Sequence, residues 1–236
     1  CIGFISHGLE RNRLEKARQT AELTARIKVS RQATGALPGQ FLPAELGTLM
    51  LQIEISLLER LQRMAKSQDV QQRLDQARAA LAEGQVPSNP PVVLDSEARG
   101  KEARLQLENL FKQLQQAERD GLIDNATLKQ WGTHVRRSLI TANLETFNAT
   151  AKQAMSQGKP RVAKLQYERA IAFITKLNNP SLAKHLEHYK QLLKRAEAAV
   201  IAQNQADEGK PSELDAGLAE MESADELWQK KAVYDD

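Results

Sequence analysis

The strongest fold signal in the chain is the stretch LGTLMLQIEISLLERLQRM, residues 46–64. Its apolar side chains recur at intervals of three and four residues, at Leu46, Leu49, Met50, Ile53, Leu57, Leu61 and Met64. This spacing places them on one face of an α-helix. A shorter stretch with the same spacing follows and ends at Gly84; its apolar positions are Val70, Leu74, Ala77 and Leu81. Together the two stretches predict an antiparallel helical hairpin within residues 34–84.

The same periodicity continues on both sides of this hairpin. Residues 6–33 carry a narrow, alanine-rich stripe, and residues 95–205 contain four further stretches that are separated by helix-ending glycines and prolines. Asp95 or Ser96 can cap the first of these helices, and Asp124 can cap the second. Strand-like alternation of useful length is missing from the sequence. We therefore predict an all-α fold, an elongated antiparallel bundle or set of hairpins with about seven helices.

Composition supports this fold class. The 236 residues include only 4% aromatic residues, 12 glycines and 8 prolines, which argues against a β-sandwich with its many turns. Charged residues make up 27% of the chain and its net charge is only +3, so wholesale disorder is not expected. The single cysteine excludes an intramolecular disulfide and any metal site built from several cysteines.

Two segments interrupt the helical pattern. Residues 85–94, QVPSNPPVVL, hold three prolines, and we predict a linker and a subdomain boundary there, before a helical bundle over 95–205. Residues 206–236 carry ten acidic and three basic groups, which predicts a disordered acidic tail. Within that tail, a short apolar set could fold onto a partner's groove, and we predict protein binding there by Leu214, Leu218, Met221, Leu227 and Trp228.

The N-terminal sequence suggests a membrane attachment. The apolar residues Ile2, Phe4 and Ile5 precede a basic stretch that includes Arg11 and Arg13. This order is typical of the end of a transmembrane span whose cytosolic flank is basic. Residues 1–33 are then a juxtamembrane basic helix, and the body faces the cytoplasm from the inner membrane. Two alternatives remain: an ordinary helix start, and an envelope lipoprotein anchored through Cys1.

Residues 147–180 show a further pattern, with small and large side chains in a fixed order: Phe147, Ala151, Gly158, Ala163, Tyr167 and Ala170, closed by Pro180. Alanines at this spacing let two helices approach closely, and Tyr167 can fill the space above them. The segment resembles a single tetratricopeptide repeat, which implies a protein-binding surface. In its overall pattern, the chain resembles single-span bacterial membrane proteins.

Signatures of chemistry are weak. The sequence contains no phosphate-binding glycine loop and no Gly-x-Ser-x-Gly, and Cys1 lies among apolar residues. His185 and His188 share a helix face, but a metal site usually needs three or four ligands. The basic clusters are interleaved with Glu or Gln and contain no stacking aromatics, so nucleic-acid binding is not favoured. We predict no catalytic residue, no metal and no cofactor.

These observations lead to one functional hypothesis and two alternatives. The hypothesis is a non-enzymatic, membrane-tethered helical scaffold or adaptor that binds protein partners. Its last helix carries a coiled-coil-like seam, Leu182, Leu186, Tyr189, Leu193, Ala196 and Val200, through which it could also form a homo-oligomer. The alternatives are a helical protein associated with nucleic acid or anionic lipid, and an envelope lipoprotein.

Overall fold

A computed structural model describes the backbone of residues 2–208 and the side chains of residues 10–206. The described chain is all-α and contains no strand, as predicted. Its seven helices are α1 (Ile2–Ala36), α2 (Ala44–Ala65), α3 (Gln68–Ala82), α4 (Glu97–Arg119), α5 (Asn125–Ser156), α6 (Pro160–Leu177) and α7 (Ala183–Glu208). Two short 3-10 turns, Gly39–Phe41 and Pro180–Leu182, precede α2 and α7. The predicted acidic tail lies almost entirely outside the described residues.

The chain divides into two compact units, residues 1–150 and residues 151–236. The division falls within α5, whereas the sequence pattern placed a subdomain boundary in the proline-rich segment 85–94. Segment 85–94 lies within the first unit.

The core of the first unit forms around α2. Helices α1 and α3 both pack against α2, and α1 also packs against α4. The apolar positions of residues 46–64 face inward, and Leu46, Met50, Ile53, Leu57 and Leu61 are all buried. The predicted pairing of α2 with the following helix is present, and Arg78 of α3 donates to the Glu59 carboxylate of α2 at 2.7 Å.

Local signals set several helix ends where the sequence predicts them. The Ser96 hydroxyl accepts from the backbone N–H of Arg99 at 3.3 Å and caps α4. The Asp124 carboxylate accepts from the backbone N–H of Thr127 at 2.7 Å, just before α5. Gly121 follows α4 with φ +68°, a left-handed conformation that favours glycine.

The proline-rich segment 85–94 is held against the end of α1. The Asn89 side-chain amide donates to the backbone oxygens of Thr34 and Leu37, both at 2.7 Å. The last carbonyls of a helix have no partner within the helix, so Asn89 satisfies two groups that would otherwise need water. The Gln40 side chain exchanges two hydrogen bonds with the backbone of Val92, at 2.7 and 3.0 Å. The segment is therefore a packed part of the first unit.

The second unit contains an antiparallel pair formed by α6 and α7. Arg161, near the start of α6, donates to Asn204, near the end of α7, at 2.7 Å. The Tyr167 and Tyr189 rings lie 6.3 Å apart between the two helices. Leu182, Tyr189 and Ala196 of the predicted seam are buried. The seam therefore packs against α6 of the same chain.

The predicted inner-membrane localisation is contradicted. Among the described residues, no helix combines the length and the apolar character that crossing a membrane requires. In α1, residues 10–18 are exposed, and charged or polar side chains follow one another through most of its length. Ile2, Phe4 and Ile5 belong to α1, but their side chains lie outside the described range.

Candidate functional site

The residues predicted to bind partners or to lie near a membrane do not form a described site. Leu214, Leu218, Met221, Leu227 and Trp228 all lie outside the described residues. Arg11 and Arg13 are exposed on α1. Protein binding by this segment of the tail therefore stays a prediction.

An apolar cavity of about 340 Å³ lies between α1, α2 and α3. Its walls are the side chains of Ile27 from α1, Leu58 and Leu61 from α2, and Val70 from α3. Each of these side chains is also part of the hydrophobic core of the unit. The cavity is therefore an opening between three helices that core side chains line. These four side chains form its apolar floor.

The rim of this apolar cavity is basic. Lys28 and Arg31 contribute from α1, and Arg73 contributes from α3. Two of these cations have acidic neighbours: Arg31 pairs with Glu54 at 3.3 Å, and Arg73 pairs with Asp69 at 3.1 Å. Lys28 makes no ion pair with a described residue and is exposed. An approaching acidic group would therefore meet a free ammonium beside an apolar floor.

The carboxyl group of Glu54, which pairs with Arg31 of the rim, is largely buried. Burial raises its pKa above the ordinary value, while the nearby Arg31 and Arg73 act in the opposite direction. The net upward direction means that the two cations only partly offset the loss of water around the carboxylate. Burial of Glu54 therefore disfavours its ionised form.

The histidines have individual roles. Three or more potential metal-ligating side chains do not come together anywhere among the described residues. His185 and His188 are both exposed on α7, and His188 lies edge-on to Tyr189 at 5.8 Å. His134 is half-buried, and its Nε2 lies 3.1 Å from the backbone oxygen of Phe41.

The sequence pattern missed the apolar cavity because its parts are distant in sequence. Ile27 belongs to the stripe of α1, but the stripe is dominated by alanine and gives no sign of a gap between helices. The spacing of Leu58, Leu61 and Val70 predicts burial without predicting which neighbour leaves space. One available signal was Lys28 and Arg31, which flank the same apolar face of α1.

Comparisons with known proteins give no match that bears on this geometry. The chain matches no protein family, no curated protein sequence and no solved structure.

Proposed function

We propose that this chain is a helical scaffold that binds a protein partner through the apolar cavity of its first unit. The observation that carries the proposal is the combination of an apolar floor with a basic rim. Protein interfaces concentrate their binding energy in a few bulky side chains that enter pockets of this kind. Charge around the pocket then guides which partner approaches and in which orientation.

The chemistry of the cavity defines the partner segment. The partner segment presents one large apolar side chain to the apolar floor formed by Ile27, Leu58, Leu61 and Val70. It also presents carboxylates to the basic rim. The chain's own sequence offers a segment of this type, because Asp225 and Glu226 directly precede Leu227 and Trp228. An acidic amphipathic segment with this order of residues is the occupant that we propose.

A peptide with the sequence of residues 209–236 tests this proposal. It carries a fluorescent label, and its anisotropy is followed while the full chain is added. The full chain contains Leu227→Ala and Trp228→Ala, so that its own copy of the segment does not compete. We expect saturable binding, and we expect Trp228→Ala in the peptide to weaken it by about 30-fold, the equivalent of about 2 kcal/mol for a pocket-filling side chain.

A pair of charge reversals on one helix provides the matched control. Lys28→Glu changes the rim of the cavity, whereas Lys16→Glu makes the same change on the exposed first half of α1. At low salt we expect Lys28→Glu to weaken binding by about two- to fivefold, the usual size of one exposed charge pair. Lys16→Glu should leave binding unchanged. Equal effects of both variants, or no saturable binding, would refute the proposal.

A further inference from the structure

A second cavity in the first unit carries a different chemistry. It has a volume of about 360 Å³ and lies between α1, α2 and the end of α4. Three arginines line it, Arg26 from α1 and Arg60 and Arg63 from α2, together with the carboxylates of Glu22 and Asp120. The lining therefore carries one more positive than negative charge. We call this place the arginine cavity.

Asp120 organises the arginines at the base of the cavity. Its Oδ2 atom accepts from Nη1 of Arg26 at 2.7 Å and lies 3.6 Å from Nη1 of Arg60. The backbone oxygen of Asp120 accepts from Nη2 of Arg60 at 3.2 Å. Its Oδ1 atom accepts from the Gln116 side chain at 3.1 Å. Both carboxylate oxygens of Asp120 are thus already engaged by groups of the protein.

One side of the Arg26 guanidinium is left unpaired. Its Nε and Nη2 atoms are buried and make no hydrogen bond with any described residue. The side chain as a whole is only 14% exposed. In a guanidinium, Nε and Nη2 present two parallel N–H groups along one edge, and this edge matches the two oxygens of a carboxylate or a phosphate. A buried donor without an acceptor costs folding free energy, and an oxyanion that accepts from these two N–H groups would remove that cost.

We propose that the arginine cavity binds an oxyanion, the carboxylate or phosphate group of a ligand, through this edge of Arg26. Nε and Nη2 have no contact with solvent, so binding requires the guanidinium to turn toward the cavity about its bond to Asp120. Arg63 also lines the cavity, is exposed, and makes no ion pair with a described residue. It supplies a second cation to the same group. The site is distinct from the apolar cavity and does not depend on the function proposed for it.

The test uses the full chain, labelled with ¹⁵N, and follows the arginine Nε–H signals by NMR. Inorganic phosphate and acetate are titrated separately at constant ionic strength, with chloride as the reference anion. The Arg26 signal is identified by its loss in Arg26→Lys or, if that variant does not fold, by sequential assignment. We expect a saturable shift of the Arg26 Nε–H signal with at least one oxyanion. The anion that shifts it at lower concentration identifies the ligand as a phosphate or a carboxylate.

Two exposed arginines give the matched comparison. Arg63→Ala removes the outer cation of the arginine cavity, whereas Arg169→Ala removes an exposed arginine of α6. We expect Arg63→Ala to weaken oxyanion binding by about two- to fivefold, the usual size of one exposed charge pair. Arg169→Ala should leave it unchanged. An Arg26 signal that neither oxyanion moves, or equal weakening by both variants, would overturn the proposal.

Discussion

Helices α4 and α5 of the first unit meet at Gly100, and replacing this glycine tests how closely they pack. A Cβ atom placed on Gly100 would overlap Oγ1 of Thr146 and lie 2.7 Å from its Cγ2 and 2.9 Å from its Cβ. Thr146 is 4% exposed, and its hydroxyl donates to the Ala142 backbone oxygen at 2.7 Å. Because the Thr146 Cβ itself is too close, rotation of the side chain cannot relieve the overlap, and the helices must separate.

The expected cost follows from two opposing effects. Overpacking of a tight core contact destabilises by about 1–3 kcal/mol. Replacing a helical glycine by alanine raises the free energy of unfolding by about 0.5–1 kcal/mol, because alanine loses less conformational freedom on folding. We therefore expect Gly100→Ala to lower the free energy of unfolding by about 1–2 kcal/mol, as the balance of these two effects. Urea denaturation followed by far-UV circular dichroism measures this change.

The chain offers a matched control for this substitution. Gly35 is also helical, has no positive φ, and an added Cβ there would meet no atom within 4 Å. Gly35→Ala should therefore stabilise the protein by about 0.5–1 kcal/mol. In the double variant Gly100→Ala with Thr146→Ala, we expect less destabilisation than the two single changes sum to, because Oγ1 and Cγ2 are removed. Gly100→Ala as stable as the wild type, or no such coupling, would refute the close helix contact.

Three further substitutions test electrostatic and capping contacts, each by urea denaturation. Because the pKa of Glu54 is raised in the folded state, its protonated form stabilises the fold below the ordinary glutamate pKa, and this stabilisation is lost as pH rises through the raised pKa. The stability of Glu54→Gln relative to wild type should therefore increase between pH 4 and pH 7. A decrease would contradict the burial argument. Asp120→Ala strands the largely buried Arg26 guanidinium and should cost about 2–4 kcal/mol, whereas a change within 0.5 kcal/mol would show that the pair carries little stability. Asn89→Ala removes two hydrogen bonds at the end of α1 and should cost about 1–2 kcal/mol; an unchanged midpoint would mean that water replaces the amide fully.

Helix identity and several helix ends were predictable because their signals are local. The Ser96 and Asp124 caps each join a side chain to a backbone N–H three residues later, so both partners are visible in one short stretch. The apolar spacing of residues 46–64 fixes which face of α2 is buried, since a helix repeats every 3.6 residues. These features depend on neighbours in sequence, so they can be predicted without knowledge of the tertiary fold.

Neither candidate site could be predicted in the same way. The apolar cavity depends on space left between three helices, and space is not a property of any one stretch. The arginine cavity depends on Arg26 and Asp120, which are 94 positions apart. A sequence pattern gives both residues as ordinary charged positions, because it does not show which charges meet after folding.

The sequence by itself determined the all-α class, the buried faces of the helices and the local caps, because periodicity and capping act within a few residues. Only the tertiary structure decided that segment 85–94 packs on the first unit and that the seam of α7 faces α6. It also decided that one edge of a buried arginine is left without an acceptor. These outcomes depend on contacts between residues far apart in the chain, where packing and desolvation outweigh local preference.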